Sequence, residues 1–134
     1  MADKKIFSRV KMLTTTTGTG AVSISGVALA SYFSFSEVGA ANNDQIYYVI
    51  DASYGDSTSA NFEIGIGTLT SISGATATLS RDTVISSSNS NNLVDFPAGT
   101  KSVSSVLPGE ATVTTNLAID NAETIAIEQT MALN

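Results

Sequence analysis

Cysteine, histidine and tryptophan are all missing from this chain of 134 residues, and each absence removes a chemistry. Without cysteine there are no disulfides, no thiolate metal sites and no thiol nucleophile. Without histidine, nucleophilic triads and most general acid–base schemes lose their base, and imidazole-held metals are excluded. Charge is also scarce, at 13% of residues, so hydroxyl and amide side chains must cover much of the surface. Such a surface suits a protein whose neighbours cover it, and equally an ordinary soluble β-domain. No apolar run approaches the roughly 18 residues that a membrane helix needs. The length fits one domain able to bury about two-thirds of its unfolded surface, enough for a core without covalent staples.

The few charges are unevenly placed. Four of the six basic residues, Lys4, Lys5, Arg9 and Lys11, lie in the first 11 positions. Beyond them only Arg81 and Lys101 face eleven carboxylates, a net charge of −9. That body repels phosphate backbones, so no nucleic-acid partner is expected. The basic stretch reads either as a solvated arm or as an arm lying along an acidic neighbouring subunit. Followed by residues 18–30 and ending Ala28-Leu29-Ala30, it also imitates a signal peptide. The threonine run 14–17 and the breaks at Ser23, Ser25 and Gly26 spoil the imitation, and the chain is read as retained at synthesis, with no membrane partner.

Period-two alternation dominates the rest. Phe62, Ile64 and Ile66 alternate with Glu63, Gly65 and Gly67, which predicts a half-buried strand with the large residues inward. After a turn at Ser73-Gly74, Ala75, Ala77 and Leu79 repeat the pattern and predict a hairpin over residues 62–79. The polar run 86–92 leads to an extended piece at 100–107, closed by Pro108. Upstream, Ile46-Tyr47-Tyr48-Val49-Ile50 is apolar on both faces, as a central or partner-covered strand would be. Val22 and Ile24, then Val27 and Leu29, predict a strand with a bulge near Gly26, and Tyr32, Phe33 and Phe35 a further extended piece. In the last 26 residues, Val113, Leu117 and Ile119, then Ile125, Ile127, Met131 and Leu133, predict a terminal strand pair. The expected fold is all-β: a single small antiparallel β-sandwich or barrel (21–108) with an extended N-terminal arm and linker (1–20). A C-terminal β extension (109–134) is expected to pack on the module or on a neighbouring subunit. Core candidates are Ile46, Tyr48, Ile50, Phe62, Ile64, Ile66, Leu79 and Val103; Arg81 is expected to pair with Asp82 or Asp95.

Motifs that carry chemistry are thin. Gly65-Ile66-Gly67 is followed by no helix with a lysine and a hydroxyl, so it is not a phosphate loop; small residues on one strand face explain it. Asp51 and Asp56, with serines between, do not match the alternating-oxygen loop of a calcium site and fit ordinary turns. No acidic pair of the glycosidase kind stands out. The expectation is no enzyme, no catalytic residue, no metal and no cofactor.

One resemblance adds to this reading. Arg9-Val10, the threonine run, Asp44-Gln45-Ile46-Tyr47-Tyr48-Val49-Ile50, Gly65-Ile66-Gly67-Thr68-Leu69-Thr70, Leu79-Ser80-Arg81-Asp82-Thr83-Val84-Ile85, Val94-Asp95-Phe96-Pro97-Ala98-Gly99-Thr100-Lys101-Ser102-Val103 and Leu107-Pro108 occur in that order. Together, over residues 9–108, they resemble a small module of tailed-bacteriophage virion structural proteins. That module occurs in short tail-region proteins and in the N-terminal part of tail-fibre proteins. The resemblance implies a non-enzymatic virion component assembled in the host cytoplasm: a tail-associated adaptor or fibre-anchoring protein. Its implied partners are copies of itself and other virion proteins of the tail, the portal region, a fibre or the capsid. Fibre-forming relatives continue into long repetitive shafts, whereas 26 residues follow Pro108 here, which favours an adaptor over a receptor binder. Candidate interface residues are Lys4, Lys5, Arg9 and Lys11 with Ile125, Ile127, Met131 and Leu133. Alternatives are a capsid decoration protein and a cell-surface carbohydrate-binding module using Tyr47, Tyr54 and residues 51–60.

Overall fold

The structure, a computed structural model, describes residues 4–108. Eight strands follow one another: β1 (Lys4–Lys5), β2 (Lys11–Thr14), β3 (Val22–Val27), β4 (Gln45–Asp51), β5 (Phe62–Ser73), β6 (Thr76–Leu79), β7 (Thr83–Ser87) and β8 (Lys101–Ser105). A single turn of 3-10 helix, Ala52–Tyr54, follows β4, and no helix among the described residues is long and apolar enough to cross a membrane. Six strands pair in the order β4-β8-β2-β3-β6-β5, and β5 pairs back onto β4, closing an antiparallel barrel. The two remaining strands extend it. β1 lies parallel beside Gln45 and Ile46 where β8 stops, and β7 continues the edge of β5 where β6 stops.

Local chemistry accounts for most of these elements. Val22 and Ile24 face inward, and the β2–β3 register slips by one residue between Met12↔Val27 and Thr14↔Ile24. Gly26, with φ of 84°, absorbs the extra residue in a region that side chains avoid. The residue 62–79 hairpin and the strand after the polar run both form as the alternation predicts. β4 is central, bonded along both edges, with Ile46, Tyr48 and Ile50 completely buried.

Three expectations are corrected, and a fourth falls outside the described residues. Residues 4–20 are not a free arm, because β1 and β2 are sheet strands and Met12 is a core residue. Tyr32, Phe33 and Phe35 form no strand: the 28–44 segment folds through turns and drives Phe35 into the core, edge-on to Phe7 at 6.2 Å between ring centres. Residues 109–134, including the expected strand pair, lie outside the described residues. The third correction concerns β5, whose phase is opposite to the expectation. Glu63, Gly65, Gly67 and Leu69 point inward, while Phe62, Ile64 and Ile66 are half-buried on the outer face.

Interior width explains the inversion. Tyr48 pairs directly with Gly65, and its ring fills the space over that glycine: a Cβ at Gly65 would stand 2.8 Å from the Tyr48 hydroxyl and would strike the Thr83 carbonyl. A Cβ at Gly67 would stand 2.7 Å from Leu79 Cδ1 and would strike the Ser80 carbonyl. Isoleucines on that face would require the barrel to open. Because side chains alternate, admitting glycine inward sends the whole apolar row outward.

Gly65→Ala is therefore expected to cost about 1–3 kcal/mol by overpacking, and Ile64→Thr under ~1 kcal/mol. Urea unfolding of both variants against Ile46→Thr checks this; an Ile64 effect as large as that of Ile46 would reverse the assigned face.

Candidate functional site

The strand ends that carry Asp51, Phe62, Thr14, Val22, Leu79 and Lys101 all open at one end of the barrel, as antiparallel order requires. Four connections meet there: residues 15–21, residues 52–61, the break between β6 and β7 at residues 80–82, and residues 88–100. Arg81 occupies that break, and a one-residue register slip between β6 and β7 turns its side chain inward, where it is only 1% exposed.

Its partner is Glu63, not Asp82 or Asp95. Arg81 Nε donates to Glu63 Oε2 at 2.9 Å and Nη2 to Oε1 at 2.5 Å, a bidentate fork. The Tyr48 hydroxyl donates to Oε2 at 2.6 Å and the Val94 N–H to Oε1 at 2.8 Å, giving each carboxylate oxygen two donors. The remaining guanidinium protons reach the carbonyls of Gly18 (3.0 Å), Gly20 (3.2 Å) and Val94 (2.6 Å), and the group lies 5.3 Å from the Phe96 ring centre. Asp82 instead accepts from Thr68 and Ser80 hydroxyls.

Burial pushes the Glu63 carboxyl upward, but the hydrogen bonds from Arg81, Tyr48 and Val94 with the Arg81 charge outweigh it and hold it below its ordinary value. Burial, then the bond to Glu63, drives the Tyr48 phenol well above its ordinary range. With all lone pairs and donors engaged, the triad is a clamp on three loops. Sequence reasoning misses Glu63; its signal is a lone carboxylate in phase with two interior glycines.

Lys101 sits at the same end, 2% exposed, with Nζ 2.7 Å from the Pro97 carbonyl and no ion pair among the described residues. Burial lowers its pKa. Beside it a small cavity of about 60 Å³ is lined by Ala52, Gly55, Asp56, Ser59 and the backbone-rich 97–100 turn.

The other sequence candidates are scattered. Asp51 Oδ1 takes the Ser53 N–H and hydroxyl, and Asp56 Oδ1 those of Thr58, so each carboxylate shapes its own turn. Among the described residues no three acidic side chains gather in a metal-binding group. Tyr54, 42% exposed, donates its hydroxyl to the Ala28 carbonyl. Lys4 and Lys5 lie in β1, and Lys5 pairs with Asp44 at 3.0 Å from a half-exposed position, which contributes little to stability. Arg9 and Lys11 both approach the ring of Tyr32. Ile125, Ile127, Met131 and Leu133 lie outside the described residues.

On the outer surface, the inverted phase of β5 creates a feature of which the sequence candidates include Tyr47 alone. Tyr47 stands opposite Ile66 and Val49 opposite Ile64, with Phe62 next along the strand, all half-buried. Five large, half-buried apolar side chains thus share one outward face of two adjacent strands.

Arg81→Met is expected to destabilise by ~3–5 kcal/mol, since it strands a buried carboxylate. Because the folded Glu63 pKa lies below its unfolded one, the stabilisation it carries is complete above the ordinary carboxylate value and lost as pH falls through the folded one. Thermal unfolding from pH 7 to pH 2 should show this fall, and Glu63→Gln should flatten it. Lys101→Met should raise the melting temperature at pH 7, with the gain shrinking as alkaline pH neutralises the wild-type lysine; a loss would mean the ammonium is stabilising.

Comparison with protein-family models, with curated proteins and with solved structures finds no match to this chain.

Proposed function

We propose that this chain is a non-enzymatic structural component of a tailed-phage virion, a tail-associated adaptor or fibre-anchoring protein that works through subunit contacts. The likeness of residues 9–108 to the virion module motivates the setting. The observation that carries the mode of action is the outer face of β4 and β5, where Tyr47, Val49, Phe62, Ile64 and Ile66 lie together. Barrel closure strengthens the case for face-on contact: the six ring strands pair with a neighbour on either side, and the two strands outside the ring, β1 and β7, are two and five residues long. Edge-to-edge strand addition has little to build on, so a partner meets side chains. Scarce surface charge lowers the desolvation cost of such a contact.

The rigid interior serves the same role. A clamp that ties the loops of one end gives a part that transmits position without changing shape, as a joint between subunits requires.

Sedimentation velocity of the purified chain, alone and mixed with dissociated virion parts, tests the reading. The expected result is a closed oligomer or a complex with a tail component, and association at least ~10-fold weaker, about 1.4 kcal/mol, in Ile64→Asp with unchanged folding. A complex formed only with capsid protein would make it a decoration protein. A monomer indifferent to every virion part would overturn the assembly role, and glycan binding would be measured next.

A further inference from the structure

A second surface carries charge as well as apolar area. At the start of β2, Arg9 and Lys11 place their cationic groups 4.8 Å and 5.6 Å from the centre of the same ring, Tyr32. Arg9 adopts the left-handed region, φ 59°, uncommon for a long side chain. That backbone is held by the Phe33 N–H bonding to its carbonyl at 2.8 Å. The guanidinium is fixed through Nε and Nη2 on the Ser31 carbonyl (3.3 and 3.2 Å) and Nη2 on the Ser31 hydroxyl (3.1 Å). Among the described residues neither cation has a carboxylate within ion-pair distance, since the ion pairs there are Lys5–Asp44 and Arg81–Glu63. Two like charges held on one ring, in a chain whose remainder is strongly acidic, form a site that the described residues leave without a counter-charge.

Apolar groups frame it. The Ala28 N–H bonds to the Lys11 carbonyl, which brings Leu29, 61% exposed, alongside; the Phe33–Arg9 bond does the same for Phe33, 45% exposed. On the other edge of β2, Lys11 pairs with Ser104 of β8, and the Phe7 N–H bonds to the Ser105 hydroxyl. The described chain ends three residues later, at Pro108, after an exposed Leu107.

The segment after Pro108 is complementary in both respects. Residues 109–134 contain four carboxylates, Glu110, Asp120, Glu123 and Glu128, and no lysine or arginine. Ile125, Ile127, Met131 and Leu133 are interspersed with the last of these. The segment follows β8, the strand paired with β2, by three residues, and 26 residues span up to about 85 Å when fully extended, more than enough to reach the patch. Tethering gives it an effective local concentration in the millimolar range, which a second copy at micromolar concentration does not match.

We propose that residues 109–134 of the same chain dock on the Arg9–Lys11–Tyr32 patch, with carboxylates against the two cations and apolar side chains against Leu29 and Phe33. The test uses the full chain at micromolar concentration, with hydrogen exchange of the 109–134 amides and sedimentation on the same samples. The expected result is that those amides are protected at every mass the chain shows, the monomer included. Protection should fall at least ~5-fold in Arg9→Glu/Lys11→Glu, fall equally in Glu123→Lys/Glu128→Lys, which leaves the barrel untouched, and return when the four changes are combined. Exchange at unstructured rates in the wild type would overturn the docking. So would protection indifferent to either charge reversal, or protection present only where the mass is that of a dimer, which would assign the patch to a second copy.

Discussion

The bidentate ion pair between Arg81 and Glu63 is the constraint on which the rest of the barrel depends. A carboxylate with no exposure is tolerated only when every oxygen is bonded, and here the fork, the Tyr48 hydroxyl and the Val94 N–H meet that demand. Meeting it fixes Glu63 inward, and the pleat then fixes every other residue of β5 up to Leu69. The glycines come inside, Tyr48 gains room for its ring, and the isoleucines are sent to the surface. The outward apolar face proposed as a contact surface is therefore a by-product of satisfying one buried charge.

The two barrel ends are closed by different chemistry. At the Arg81 end, polar groups from residues 18, 20 and 94 converge on the guanidinium, and Gly18 bridges Phe96 across the opening. At the opposite end the 28–44 connection inserts Phe35, whose N–H meets the Met12 sulfur at 3.4 Å. The first end is held around a buried ion pair, the second around a buried ring with carboxylates at its rim. Loss of carboxylate charge reaches both, because Asp44 at the second end accepts the Ala41 N–H and pairs with Lys5, which hold its carboxyl below the ordinary value.

Closure also shapes the described surface. The six ring strands pair with a neighbour on either side, and two outer features stand out: a half-buried apolar face on β4 and β5, and a cationic, aromatic patch at the start of β2. The first carries no charge. The second carries two cations with no carboxylate at ion-pair distance among the described residues.

Strand existence is legible in the sequence because it depends on local alternation and turn chemistry. The hairpin at residues 62–79, the bulge at Gly26 and the existence of β4 all arise from neighbours a few positions apart. The inner face of β5 is not legible, because period two states that two faces differ and leaves open which one meets the core. Long-range contacts settle it, since Arg81 reaches Glu63 across 18 residues and Gly18 across 63. The same holds for Lys11 and Phe35: local pattern reads one as part of an arm and the other as part of a strand, and their places are set by β8 and the core. Alternation is a property of adjacent residues, whereas sidedness is a property of the closed barrel, in which distant segments compete for a narrow interior.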